Sequence, residues 1–249
     1  MPRRTNGFQR PFTNDQMLSW VAEPTAAIVF YLLVVPFTFD ETRTAFVTVF
    51  TVLLGLHIVC WLWCSLADPG VQAQREARYC SVCNKSVPGL DHHCTWLNTC
   101  IGKRQYPAFF ALVTIGTIMY WFETIVFILM LTTLFTAETR EKAEDILGSQ
   151  TTYQVLVSLA VCYAAGLACA LSILFVFHMF LQFTGLGTYA WMISNRDRKV
   201  QKAKKKKEKA KAKEQELASA KATGEETQAP SNVDQNGPSP APLPFVANV

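Results

Sequence analysis

The chain has 249 residues, half of them hydrophobic, and a formal net charge of only +4. Apolar residues in that proportion beside so few charges must be gathered into blocks, which excludes an even scatter over a soluble domain and points to a membrane protein. A membrane-crossing helix needs roughly 20 apolar residues, and four blocks reach that length, at 16–39, 45–67, 107–135 and 153–183.

In chain order, residues 1–15 are polar and carry Arg3, Arg4, Arg10 and Pro11 with no apolar h-region. No cleavable signal peptide is therefore expected, and the first span stays in the mature protein. Glu23 and Pro24 interrupt that span, so 25–39 forms its clean apolar run and 17–23 is expected to approach it along the interface. Residues 16–67 hold spans 1 and 2, 68–106 form a cysteine-rich segment, and 107–183 hold spans 3 and 4 around an outer loop at 136–152. The tail at 184–249 has two compositions. Residues 197–222 are rich in Lys, Ala and Glu and predict an exposed helix, whereas 223–249 are rich in Pro, Asn and Gln and read as disordered. The run Lys204 to Lys207 suits either anionic headgroups of the inner leaflet or a solvated face. No nucleic-acid partner is expected.

Lys and Arg counts set the orientation. Three lie before the first span, one in the first turn, five in 68–106, two in 136–152 and twelve in the tail. Both termini and the cysteine-rich segment are therefore expected in the cytosol, in an endomembrane (ER or Golgi) or the plasma membrane. The outer loop is acidic, with Glu138, Glu141, Glu144 and Asp145.

Of eight cysteines, Cys60, Cys64, Cys162 and Cys169 fall inside spans and read as small buried hydrophobes. Cys80, Cys83, Cys94 and Cys100 fall in the cytosolic segment, where thiols stay reduced and serve as ligands or nucleophiles. They share the stretch YCSVCNKSVPGLDHHCTWLNTCIG, residues 79–102, with His92 and His93. A structural zinc takes four ligands, often starting from a C-x2-C pair such as Cys80 and Cys83. Two divisions are possible. Zinc on Cys80, Cys83, Cys94 and Cys100 leaves an inert four-cysteine knuckle. Zinc on Cys80, Cys83, His93 and Cys100 leaves His92 and Cys94 free. In extended backbone residues 92 and 94 share one side and 93 faces the other, which favours the second division. His92 could then bond to the Cys94 sulfur while Asp91 orients the imidazole. A free thiol, with a pKa near 8.5, needs such help at neutral pH.

Asp91-His92-His93-Cys94 followed by Trp96, Asn98, Cys100 and Gly102 resembles the signature of the DHHC family of protein S-acyltransferases. Asp68-Pro69-Gly70 is similar to that family's D-P-G element, and Tyr106 and Phe109 also fit, so the resemblance covers roughly 6–198. It implies an all-α membrane protein with four transmembrane helices and a small zinc-bound cytosolic domain between helices 2 and 3. It further implies a two-step transfer of a long acyl chain from fatty acyl-CoA (palmitoyl-CoA) to Cys94 and on to membrane-proximal cysteines of substrate proteins. Asp91 and His92 would assist, and one structural zinc would sit on Cys80, Cys83, His93 and Cys100. Trp96, Met119 and Tyr120 are candidate walls for the acyl chain, with an interfacial anchor as the plainer role for Trp96. Lys103 and Arg104 suit coenzyme A phosphates or the cytosolic charge bias alike.

The departures are specific. The family's second zinc set is missing: Tyr79 and Ser86 stand at two of its positions, and no Cys occurs between Ser65 and Tyr79. The T-T-x-E element becomes Gly187-Thr188-Tyr189-Ala190, which keeps one Thr and loses the Glu. These losses leave a rival open, a catalytically silent membrane adaptor with a structural zinc knuckle. A small transporter is a weaker rival, because only Glu123, His57 and His178 could line a polar path. Glu123 and His57, at membrane depth, are expected to pair between helices, whereas His178 and Glu23 lie near the interfaces and need no special role.

Overall fold

The computed structural model describes residues 2–70, 77–185 and 187–223. The described residues divide into two units between Asn195 and Arg196. Six helices and two small hairpins follow in the order α1 (Asn14–Phe37), α2 (Asp40–Leu66), β1 (Ala77–Cys80), β2 (Lys85–Pro88), β3 (His92–Cys94), β4 (Thr99–Ile101), α3 (Tyr106–Leu131), α4 (Ala137–Leu147), α5 (Gln150–Thr184) and α6 (Thr188–Thr223). Among the described residues α1, α2, α3 and α5 are long and apolar enough to cross a membrane, and the protein is a multi-pass membrane protein.

Helix α1 starts two residues earlier than the apolar block, because Thr13 caps it by accepting a hydrogen bond from the Gln16 N–H. The expected interfacial approach at 17–23 is instead an unbroken part of this helix. Pro24 cannot donate to the carbonyl one turn back, yet α1 continues through it, since Ser19, Ala26, Phe30, Leu33 and Val34 bury one face on both sides of the proline.

Helix α3 is the most buried span and packs against both α2 and α5. Gly116 makes the close approach possible: a Cβ there would sit 2.8 Å from Leu171 Cδ1 and 2.9 Å from His57 Cε1. At the far end Phe30 stacks on Phe50 with centroids 3.8 Å apart, and Tyr153 packs between Phe37 and Phe135. The segment at 136–152, expected as an outer loop, is mostly helical. Thr136 caps α4, Gly148 at φ 71° ends it, and Ser149 caps α5.

The unit that starts at Arg196 carries a lysine-rich helical stretch, exposed where its side chains are described. Thr223 ends α6, and the remainder of the stretch read as disordered lies outside the described residues.

Candidate active site and metal centre

Two antiparallel hairpins between α2 and α3 build the site. In β1–β2, Cys80 pairs with Lys85, and in β3–β4, His93 pairs with Cys100 while Cys94 pairs with Thr99. Asn84 and Asn98 take left-handed φ values of 50° and 52° at the turns, a conformation asparagine tolerates. This geometry brings Cys80, Cys83, His93 and Cys100 together, with one donor atom from each, all within 4.8 Å of one another. The sulfurs of Cys80, Cys83 and Cys100 lie 3.9, 3.4 and 3.8 Å from His93 Nδ1. A tetrahedral zinc with Zn–S of about 2.3 Å and Zn–N of about 2.0 Å requires S···N edges of about 3.5 Å, so the donor set fits that ion. The Cys83 thiol is pushed down, first by the Cys100 hydrogen bond and, against burial, by His93 and Lys85. The same contact pushes Cys100 up.

The Asp-Pro-Gly element after α2 fastens this hairpin. Asp68 accepts hydrogen bonds from the buried Lys85 Nζ at 2.9 Å, from the Gly70 N–H at 2.9 Å and from Arg3 at 2.7 Å. Burial raises this carboxyl, but the Lys85 and Gly70 hydrogen bonds and the charges of Lys85 and Arg3 outweigh it, leaving Asp68 below its ordinary value.

His92 and Cys94 turn away from the four-donor cluster. His92 Nδ1 lies 2.9 Å from Asp91 Oδ2. Burial alone would lower the imidazole, but the interactions with Asp91 and the Cys94 sulfur win and push it up to about 9. Asp91 is shifted the other way: burial opposes its ionisation, yet bonds from His92 and Thr188 hold it below the usual carboxylate range. Cys94 is buried in an apolar group with Cys64, Leu97, Ile101, Phe109, Leu112 and Val113. The Cys94 sulfur there sits beside the His92 imidazole within an apolar surround.

Two neighbours were not foreseen. His178 is buried rather than a plain interfacial residue: its ring lies 5.9 Å from that of His92, and its Nδ1 lies 3.2 Å from the Tyr106 hydroxyl. Phe109 stands edge-on to both imidazoles, at 5.2 and 5.0 Å. A histidine at membrane depth was the available signal, and its nearness to the helix end hid it. The polar residues before α1 cover the β3–β4 turn through Arg4, Gly7 and Thr13, a role that no local pattern signals.

A largely apolar cavity of about 720 Å³ opens among α1, α2 and α3. Met119 and Tyr120 line it, together with Trp20, Tyr31 and Trp61, and Trp61 also packs on the Cys94 group. Trp96 does not: it is 49% exposed and is not among the lining residues. His57 does pair between helices, but with Glu23 of α1, at 3.7 Å. That gives Glu23 a role not foreseen, whereas Glu123 is buried and its Oε2 has no hydrogen-bond partner among the described residues. Arg104 lies over the Trp63 ring at 5.7 Å.

Four helices long and apolar enough to cross a membrane hold, between the second and the third, a small hairpin domain with a Cys/His cluster and a neighbouring Asp91–His92–Cys94 set, the architecture of a multi-pass membrane protein. The chain belongs to the DHHC palmitoyltransferase family, whose model matches residues 63–195, just over half of the sequence. Among curated proteins it is 29% identical over 140 residues to "Probable protein S-acyltransferase 20" of Arabidopsis thaliana, covering 54% of this chain and 20% of that protein. It is 32% identical over 124 residues to "Palmitoyltransferase ERF2" of Kluyveromyces lactis, covering 48% and 30%. It is also 48% identical over 44 residues to "Palmitoyltransferase erf2" of Emericella nidulans, covering 18% and 7%. The matched region thus spans less than a third of each of these relatives.

Proposed function

We propose that this protein is a protein S-acyltransferase that carries a long acyl chain on Cys94 and passes it to cysteine thiols of other proteins. The observation that supports this most directly is the placement of His92 between Asp91 and Cys94 on the side of β3 away from the four-donor cluster. Nδ1 of His92 is engaged by Asp91, which leaves Nε2 to serve the Cys94 sulfur. The Cys94 proton moves to His92, and the thiolate attacks the thioester carbonyl of fatty acyl-CoA. The C–S bond to coenzyme A breaks, and the leaving thiolate takes the proton back. In the second step the substrate thiol gives its proton to His92, its sulfur attacks the Cys94 thioester, and the departing Cys94 sulfur takes the proton back, so bonds and protons balance over the cycle. Both steps exchange one thioester for another, so positioning governs the rate.

Cys80, Cys83, His93 and Cys100 would hold one zinc as a structural ion, which supplies folding energy to the hairpins and takes no part in the transfer. The 720 Å³ cavity would take the acyl chain, each buried CH2 contributing about 0.8 kcal/mol. Trp96, half exposed two residues after the nucleophile, would meet the acyl chain or anchor at the interface. The acyl donor and membrane-proximal substrate cysteines would approach from the cytosolic face, with both termini on that side, as the Lys and Arg distribution supports. No observation favours the adaptor.

The test is incubation of purified full-length protein with an alkyne-tagged palmitoyl-CoA. A hydroxylamine-sensitive adduct on wild type that is absent from Cys94→Ser is expected. An adduct that persists in Cys94→Ser, or none on zinc-loaded wild type, would overturn the assignment.

A further inference from the structure

We propose that Arg4 is a positioning residue for Cys94, acting through Asn98, so that the first residues of the chain form a strap over the turn that follows the nucleophile. The inference rests on the reading of Cys94 as the acyl carrier.

Arg4 is buried, with 7% of its surface exposed, although it carries a full charge. The hydrogen bonds it makes go to neutral oxygens. Nη1 donates to Asn98 Oδ1 at 2.9 Å, and Nη2 donates to the carbonyls of Gln9 and of Pro11, the latter at 2.7 Å. Its backbone N–H donates to the Cys83 carbonyl at 2.9 Å, which ties the same residue to the four-donor cluster. Burying a guanidinium on neutral acceptors is costly as a source of stability. A rigid planar fork is, however, well suited to fixing geometry.

Asn98 is the element being fixed. It is fully buried, it holds the left-handed φ at the end of the 95–98 turn, and it leads directly into β4. Its Nδ2 points at the carbonyls of Gly7, Gln9 and Pro11, at 3.3, 3.4 and 3.1 Å. The Gln9 and Pro11 carbonyls therefore serve Arg4 and Asn98 together, and the two side chains interlock. Gly7 closes the strap: its N–H donates to Ser65 at the end of α2 at 2.8 Å, and a Cβ on it would come within 2.2 Å of the Leu97 carbonyl oxygen. At the other end of the turn, Thr13 donates to the Thr95 carbonyl and Thr95 donates to Asp15.

The residues immediately after Cys94 are thus held at one end by the chain that precedes α1 and at the other by the N-cap and first turn of α1. Cys94 is paired only with Thr99 in a three-residue strand, so movement of this turn moves the sulfur relative to His92. Misplacement of a reacting atom by about 1 Å costs on the order of 100-fold in rate.

The experiment uses the full chain, zinc-loaded, with palmitoyl-CoA as donor. Arg4→Gln should keep the zinc content of wild type and lose on the order of 10- to 100-fold in kcat for acyl-enzyme formation, with KM within about 3-fold. Arg4→Lys keeps a donor and a charge and should recover part of the loss. Gly7→Ala, whose Cβ would press on the Leu97 carbonyl of the same turn, should reproduce the kcat effect with zinc retained. The rate of Cys94 alkylation by iodoacetamide, followed on the Cys94 peptide, needs no acyl donor. A wild type that never acylates, with alkylation still altered by Arg4→Gln, would refute the acyltransferase reading and leave the positioning role standing. Unchanged kcat and alkylation in Arg4→Gln would overturn the positioning role, as would loss of zinc from that variant, because the strap would then be structural only.

Discussion

Thr188 donates twice to Asp91, from its backbone N–H to Oδ1 at 2.7 Å and from its hydroxyl to Oδ2 at 2.6 Å. The carboxylate that binds His92 through Oδ2 is thereby held at both oxygens by the first residue of α6. A helix N-terminus favours a negative charge there, and its unbonded N–H groups need acceptors. Gly187 precedes it without a side chain, and a Cβ at that position would lie 3.2 Å from Asp91 Oδ1. Tyr189, next in line, sits under the Arg78 guanidinium at 4.5 Å. One threonine in this place gives Asp91 a support that does not depend on the glutamate missing from the T-T-x-E element.

Thr188→Val should therefore keep the backbone hydrogen bond and lose the hydroxyl, leaving a buried carboxylate oxygen with one partner fewer. A loss of roughly 1–3 kcal/mol in support of the ionised carboxylate is expected, read as acylation slowed by about 5- to 100-fold at unchanged zinc content. Thr188→Ser should stay near wild type. Equal rates for Val and wild type would show that the hydroxyl does not matter to Asp91.

Metal content separates ligands from reacting groups. One zinc per chain is expected on the four converging donors, measured by elemental analysis of purified protein. His93→Ala and Cys83→Ala should lose the ion and unfold the hairpins. Cys94→Ser should keep it while forming no acyl-enzyme, and His92→Ala should keep it while slowing acylation by on the order of 100-fold. If Cys94→Ser lost zinc and His93→Ala retained it, the division of roles would be reversed.

The Asp91–His92 pair should shape stability against pH on the alkaline side. With its pKa raised to about 9 in the folded protein, against about 6.5 unfolded, His92 contributes stability fully below the unfolded value. That contribution is lost as pH rises through about 9. Asp91, held below its ordinary value of about 3.9, contributes above that pH and loses its contribution only in acid. Thermal unfolding of zinc-loaded protein in detergent between pH 6 and about 10 should fall more steeply for wild type than for His92→Gln. Parallel curves would remove the pair from the ledger of stability.

Topology is open to a direct test. Glycosylation acceptors inserted after Arg140, in the acidic outer segment, should be modified, and acceptors near Asn84 should not. Glycans near Asn84 would place the cluster on the wrong side of the membrane for a cytosolic acyl donor.

Local sequence pattern was enough for the four spans, because a bilayer asks only for length and apolarity and the blocks meet both. The grouping of Cys80, Cys83, His93 and Cys100 against His92 and Cys94 was legible for a similar reason: alternation along an extended strand is a property of three consecutive residues. Cap signals in the outer loop, Thr136 before α4 and Gly148 after it, were also present and passed unread among acidic residues. Other features depended on contacts between positions far apart in the chain, which no local period encodes. Arg4 meets Asn98 across 94 residues, Thr188 meets Asp91 across 97, and Tyr106 meets His178 across 72. Each becomes visible only when the spans pack around α3 and bring the ends of α1, α5 and α6 to the hairpins. The pairing of His57 with Glu23 rather than with a residue of α3 was decided the same way, by helix rotation, which hydrophobicity alone leaves free when lipid surrounds the helix.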